Sequence, residues 1–291
     1  MRFRKSVRRT ALLVAAVLFL LPAAGMAQVF VNAEKPADWE GRNLMSVTVA
    51  EFPSNDAFII RQGGYNMLVD GGAVKYKARL AKYLEQNDLK DMDIVFNTHP
   101  HDDHLQSVCV MLLLEEIRPK TFMSPFPETY GNELQRKTVG RLRERNIPYV
   151  QVKNGDVFTM GDIQFTVYQY AEGDDPNELS GILMVKYHDA TMLLTADLPG
   201  EAQKWLMETY PDQIQADILK APHHGLMNMV QGFAQMVNPS FAFVTHRPAS
   251  TEKVNRQLEK AGIPYLHHSR GTIIMETDGT DWYVTQETGV F

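Results

Sequence analysis

Cysteine is almost absent from this 291-residue chain: Cys109 stands alone, so no intramolecular disulfide can form. No cysteine directly follows the N-terminal apolar run, which argues against a lipid anchor there. Long apolar stretches are scarce as well. The run over 11–24 is shorter than the roughly 20 residues that a membrane-spanning helix needs, so no stable membrane anchor is expected. Linkers, low-complexity tracts and internal repeats are also missing, which leaves one large core as the expected arrangement.

What the N-terminus does have is a targeting pattern. Arg2, Arg4, Lys5, Arg8 and Arg9 precede the apolar run, and Gly25-Met26-Ala27 supplies small residues at its end. This reads as a secretory signal peptide over 1–27, cleaved after Ala27, with one domain over 28–291 exported to the periplasm or the outside of the cell. Val7 and Ala11 fit a twin-arginine signal poorly, so general secretion is expected. Losing those five positive residues takes the formal net charge from −6 to −11. Such an acidic surface repels polyanions, which disfavours nucleic acid as a partner and favours a small-molecule or phosphoester substrate.

Hydrophobic periodicity predicts strands over 46–52, 57–61 and 66–70, a helix around 76–84, and an apolar strand that ends at Thr98. Helices are expected over 105–117 and 130–146, then strands over 149–152, 157–159 and 163–168. A hairpin over 182–187 and 191–195 turns at His188-Asp189. Beyond it come a helix (200–210), a strand (217–220), a helix (230–236), a strand (241–245) and a helix (251–261), then strands over 272–276 and 282–285. Strand runs in two halves with interspersed helices predict an α/β (α+β) fold of two packed sheets with helices outside. The polar clusters fall at strand ends, where a site is assembled on such a scaffold.

The densest cluster is His99-Pro100-His101-Asp102-Asp103-His104, with three histidines and two carboxylates in six residues. Imidazole and carboxylate both suit Zn²⁺, and alternate residues of an extended segment point the same way, so His99 and His101 can share one ion. Asp103 and His104 then face a second. Paired metal ions are a common device for hydrolysing esters, amides and phosphodiesters.

These residues match the HxHxDH signature of the metallo-β-lactamase superfamily. Asn55-Asp56-Ala57-Phe58-Ile59-Ile60, Leu68-Val69-Asp70-Gly71-Gly72, Leu193-Leu194-Thr195-Ala196-Asp197 and Leu219-Lys220-Ala221-Pro222-His223-His224-Gly225 resemble, more narrowly, the extracytoplasmic domain of ComEC competence proteins. The likeness runs over about 46–285 of this chain. It implies a four-layer αβ/βα sandwich with a dinuclear centre of two Zn²⁺, with Mn²⁺ or Fe as alternatives. Carried over, His99 and His101 bind one metal, Asp103 and His104 the other, and Asp197 bridges them. Asp70 supports the ligand loop from behind, and His223 is the further ligand. Asp103 also orients the nucleophile and passes a proton, and His224 contacts the substrate or lies behind the ligands, where it or a nearby backbone amide helps a metal stabilise the oxyanion.

One departure matters. Many members place a metal-binding histidine between HxHxDH and the bridging aspartate, and here that interval holds only His188, in the expected hairpin turn. This counts against β-lactamase activity. His188, His246, His267 and His268 are read as structural. The leading expectation is an exported metal-dependent hydrolase that uses metal-bound hydroxide on a phosphodiester or phosphoester. The alternatives are a lactone or carboxylic ester hydrolase of the same fold, and a non-catalytic metal-binding envelope protein.

Overall fold

Side-chain alternation along the strands decides the layering of this protein, seen in a computed structural model that describes residues 27–291. A nine-stranded sheet contains β1 (Gln28–Val31), β2 (Met45–Val49), β3 (Phe58–Gln62), β4 (Tyr65–Val69), β5 (Asp91–Phe96), β6 (Arg118–Ser124) and β7 (Tyr149–Gln151). A seven-stranded sheet contains β8 (Val157–Met160), β9 (Ile163–Tyr168), β10 (Ile182–Tyr187), β11 (Ala190–Leu194), β12 (Ile218–Lys220), β13 (Phe241–Val244) and β14 (Tyr265–His267). Strands β15 (Thr272–Thr277) and β16 (Asp281–Glu287) return to the first sheet, between β1 and β2.

In β3, Phe58 and Ile60 point into the space between the sheets while Ile59 points outward. Strand β5 does the same with Phe96 and Val95, and β11 with Met192 and Leu193. Period-two alternation with apolar residues on both faces requires cover on both sides, and helices supply it. Helices α1 (Lys77–Gln86), α2 (Asp102–Leu113) and α3 (Glu133–Glu144) cover the first sheet through Leu84, Leu105, Leu112 and Leu142. Helices α4 (Gly200–Thr209), α5 (Phe233–Val237) and α6 (Glu252–Lys260) cover the second through Leu206, Phe233, Val254 and Leu258. The expected four-layer sandwich of two sheets with helices outside is borne out. Each fully buried leucine of this kind contributes roughly 1.5–3 kcal/mol.

Parallel crossovers place the site. The steps β4-α1-β5 and β5-α2-β6 join parallel neighbours in the first sheet, and β11-α4-β12 and β12-α5-β13 do so in the second. Every loop that leaves a carboxyl end of these strands therefore opens on one edge of its sheet, the usual place for a ligand site in open α/β sheets. Among the described residues no helix is long and apolar enough to cross a membrane.

Three strands differ from the sequence expectation: β1, β6 and β14 were not anticipated. Strand β6 carries Arg118, Pro119 and Lys120 at its start, and β14 has only three residues, so neither shows a readable period. The leader expected over 1–27 lies outside the described residues apart from Ala27. That residue packs into the inter-sheet core, and its N–H donates to Asp217 Oδ1 at 3.0 Å.

Candidate metal centre

The HxHxDH segment sits where β5 ends and α2 begins. Pro100 suits an extended residue before it, and His101 holds extended backbone at the α2 N-cap position (φ −82, ψ 157). Asp102 and Asp103 then occupy the first helical turn, where the helix N-terminus favours negative charge. The loop that leaves β4 packs tightly against this helix: a Cβ on Gly71 would lie 2.8 Å from Val108, and the Gly71 N–H donates to His104 O at 2.7 Å.

The second sheet delivers its residues through left-handed backbone. Ala196 (φ 46), His223 (φ 47) and His224 (φ 54) all hold positive φ, as does Asp70 (φ 55) in the first sheet. Such conformations in non-glycine residues persist only where surrounding contacts fix them, and they cluster at functional sites. Gly225 (φ 82) completes the turn, and any Cβ there would meet Val244 at 2.7 Å.

All of these loops converge on one oxygen. Asp197 Oδ2 lies 3.2 Å from His224 Nε2, 3.4 Å from His104 Nε2, 3.6 Å from His223 Nε2 and 4.0 Å from His99 Nε2. His99 Nε2 and His101 Nδ1 are 3.1 Å apart, and His224 Nε2 lies 3.3 Å from Asp103 Oδ2. The structure thus gathers His99, His101, Asp103, His104, Asp197, His223 and His224 at a single centre.

Residues 51–246 match the family described as the metallo-beta-lactamase superfamily. The chain belongs to that superfamily. Among curated proteins it is similar to ComE operon protein 3 of Bacillus subtilis, 29% identical over 210 residues. That alignment covers 67% of this chain but 26% of the relative, so the chain spans about a quarter of that protein's length. The expected likeness to competence proteins is borne out at this level. Among solved structures, the metallo-beta-lactamase fold protein YhfI of Bacillus subtilis superimposes with a TM-score of 0.54 at 12% identity, covering 81% of this chain and 100% of YhfI. Igni18, a metallo hydrolase of Ignicoccus hospitalis, gives 0.51 at 13% identity, with coverages of 79% and 98%. CmlA, a diiron beta-hydroxylase of Streptomyces venezuelae, gives 0.53 at 13%, with coverages of 81% and 54%. These three likenesses show the fold; a hydrolase and a hydroxylase on it make clear that the site must decide the reaction.

Two fully buried carboxylates orient the histidines of this metallo-beta-lactamase fold. Asp70 Oδ2 accepts from His104 Nδ1 at 2.8 Å and from Thr98 Oγ1 at 2.7 Å, while its Oδ1 accepts from Asn97 Nδ2 and the Thr98 N–H. Thr98 Oγ1 in turn accepts from His99 Nδ1 at 3.0 Å. Asp56, from the loop between β2 and β3, does for His224 what Asp70 does for His104: its Oδ1 lies 3.0 Å from His224 Nδ1. Each arrangement turns Nε2 inward and fixes the tautomer, as metal-binding imidazoles require. Asp70 was expected in this role. Asp56 and its ion-pair partner Lys220, 2.7 Å away with both side chains fully buried, were not. Both lie inside recognisable sequence blocks, but nothing in those blocks marks them as a pair.

The structure brings both adjacent histidines to the centre, and it is His224 whose placement differs from expectation. His224, expected on the substrate or behind the ligands, is enclosed and has its Nε2 at the middle of the centre. His223, expected as the ligand, reaches the same Asp197 oxygen from a position 23% exposed. Left-handed backbone at both residues lets two consecutive side chains approach one point. His188 stands at the β10–β11 turn against Gly279, and His267 and His268 tie to the carbonyls of His246 and Ala50, each at 2.9 Å.

Charge favours a cation here. Burial alone would push the Asp197 carboxyl up, but His224 and His104 outweigh it and hold it well below the usual range. Burial likewise pushes His104 down, yet Asp197 and Asp70 carry it up to about 10. His224 is raised in the same way by Asp197 and Asp56, whereas burial, with no comparable carboxylate contact, lowers His99. Asp56, Asp70, Asp103 and Asp197 outnumber the single buried lysine. Among the described residues, Asp197 Oδ1 and His223 Nδ1 are buried with no hydrogen-bond partner. Inward-facing imidazole nitrogens, ionised carboxylates and orphaned polar atoms fit divalent metal ions, and Asp56, His104, Asp197 and His224 offer atoms within 4.8 Å of one another.

Proposed function

We propose that this protein is an exported metal-dependent hydrolase acting on a phosphodiester or phosphoester. The observation that carries the reading is the convergence of four imidazole Nε2 atoms on Asp197 Oδ2, which suits two ions sharing one carboxylate. His99, His101 and His223 would hold one ion, and Asp103, His104 and His224 the other, with zinc, manganese and iron all compatible with the donor set. Bound there, the ions supply Lewis acidity and an acidified water.

Asp103 is the carboxylate of the centre that faces outward, with its side chain 39% exposed against 3% for Asp197. In this reading it would orient an attacking water and accept its proton. His224, enclosed and held by Asp56, acts as a ligand in this reading rather than as a substrate contact. His223, partly exposed and 3.6 Å from the same Asp197 oxygen, would complete the ligands of the first ion. The acidic charge favours small substrates over polyanions.

The test is hydrolysis of bis-p-nitrophenyl phosphate, nitrocefin and an acyl-lactone by protein of measured metal content. Turnover of the phosphodiester that disappears with chelation and returns with metal is expected. Turnover of nitrocefin or lactone alone would sink the phosphoester preference, and localisation of the tagged full chain to the cytoplasm would sink export.

A further inference from the structure

The two metal positions around Asp197 are built to different standards, and the difference traces to a buried ion pair. On one side, His104 and His224 each have Nδ1 on a fully buried carboxylate, at 2.8 Å and 3.0 Å, and their Nε2 atoms already lie 3.2 Å apart. Thr245 Oγ1 adds a second contact to His224 Nδ1 at 3.0 Å. On the other side, only His99 is held, through the Thr98 hydroxyl. Among the described residues the His101 ring, half-buried, meets only His99, and His223 Nδ1 has no hydrogen-bond partner.

Lys220 engages the Asp56 oxygen that is not turned to His224. Its ammonium contacts Asp56 Oδ2 at 2.7 Å, donates to Ala196 O at 2.6 Å, and stands 3.7 Å from Asp197 Oδ1. One cation therefore ties the loop before β3 in the first sheet to the strand end that carries Asp197 in the second. Asp56 is left with a single oxygen, and that oxygen faces His224. The Asp56 N–H also donates to Asp103 O at 3.3 Å, which joins the loop to the fourth member of this position.

Resting on the metal-hydrolase reading, we propose that the Lys220–Asp56 pair prebuilds the Asp103, His104, Asp197 and His224 position. This position takes its divalent ion first and holds it more tightly than the His99, His101 and His223 position does. Ligands held in place before binding lose less freedom when the ion arrives, and partners behind metal-binding histidines are typically worth 10–100-fold in affinity. Lys220 and Asp56 act through His224, as positioning residues.

Chelator-stripped full-chain protein titrated with Zn²⁺ against a chromophoric chelator reads this directly. The wild type is expected to bind one equivalent at least about ten-fold more tightly than the second, within the range expected for lost orienting partners. His101→Ala, at a half-exposed site, should lose the weak equivalent and keep the tight one. The double variant Asp56→Asn/Lys220→Met removes both buried charges together, an exchange that folded proteins tolerate well. It should weaken the tight equivalent about 10–100-fold. Two equal affinities in the wild type, or a tight equivalent lost in His101→Ala, would overturn the inequality, and a tight equivalent unchanged in the double variant would overturn the role of the pair. A wild type that binds no ion would overturn the metal-hydrolase reading itself.

Discussion

The two halves of the centre solve the same problem by opposite means. The first sheet supplies its residues from one contiguous segment, where β5 ends and α2 begins, with ordinary backbone from His101 onward and the helix N-terminus favouring the acidic pair. The second sheet supplies Asp197, His223 and His224 from two separate strand ends, through Ala196, His223 and His224 in left-handed conformations. In the first half, local spacing aims the side chains. In the second, tertiary contacts must hold backbone that these residues would not adopt alone, and Lys220 is central to that hold. The first half depends on Asp70 behind its histidines, whereas the second depends in addition on contacts that hold its backbone.

The largest effect should come from removing what the halves share. Asp197→Ala takes away the oxygen that four histidines face, so metal binding should be lost and the proposed phosphodiesterase activity should fall by more than the roughly 100-fold that marks the upper range for outer partners. Metal content by mass spectrometry and a circular dichroism spectrum separate this from unfolding. A variant that keeps both ions would show that Asp197 is not the common vertex.

A smaller effect isolates the first half. Asp70→Asn preserves size and tolerates the positive φ, so the change acts on charge and hydrogen bonding alone. Asp70 accepts four hydrogen bonds, and an amide can accept only on its oxygen, which leaves an N–H facing the His104 or Thr98 donor. The expected cost is about 1–3 kcal/mol of stability for the buried mismatch, with metal retention about 10–100-fold weaker. Chemical denaturation and a chelator competition measure the two. A loss of stability with full metal affinity would reduce Asp70 to a scaffold residue.

The same contrast explains what was legible in the sequence. HxHxDH could be read because its residues are neighbours and because the strand before it and the helix after it have clear periods. Two packed sheets with helices outside could be read because the strand runs fall in two halves with helices between them, and the four-layer order came with the family resemblance. The order of His223 and His224 could not, since spacing alone does not reveal that both adopt positive φ or which of them meets Asp56. Lys220 lies between Leu219 and Ala221 in a short strand, where a lysine would ordinarily point to solvent, yet it is fully buried. Its partner comes from the other sheet, so only the packed structure reveals the pair.

The smallest prediction tests whether the second half is in fact held against its own preference. A left-handed conformation costs an ordinary residue roughly 1–2 kcal/mol, which glycine avoids, so Ala196→Gly relieves strain. Against that stand glycine's greater freedom in the unfolded chain, about 0.5–1 kcal/mol, and the loss of one buried methyl, about 0.8 kcal/mol. These terms nearly cancel, and the melting temperature should move by no more than about 2–4 °C. Ala202→Gly, buried in α4, has no strain to relieve, so it should destabilise by at least about 1 kcal/mol. The gap between the two variants measures the strain at Ala196, and equal destabilisation would mean that the strand end before Asp197 rests in its preferred conformation after all.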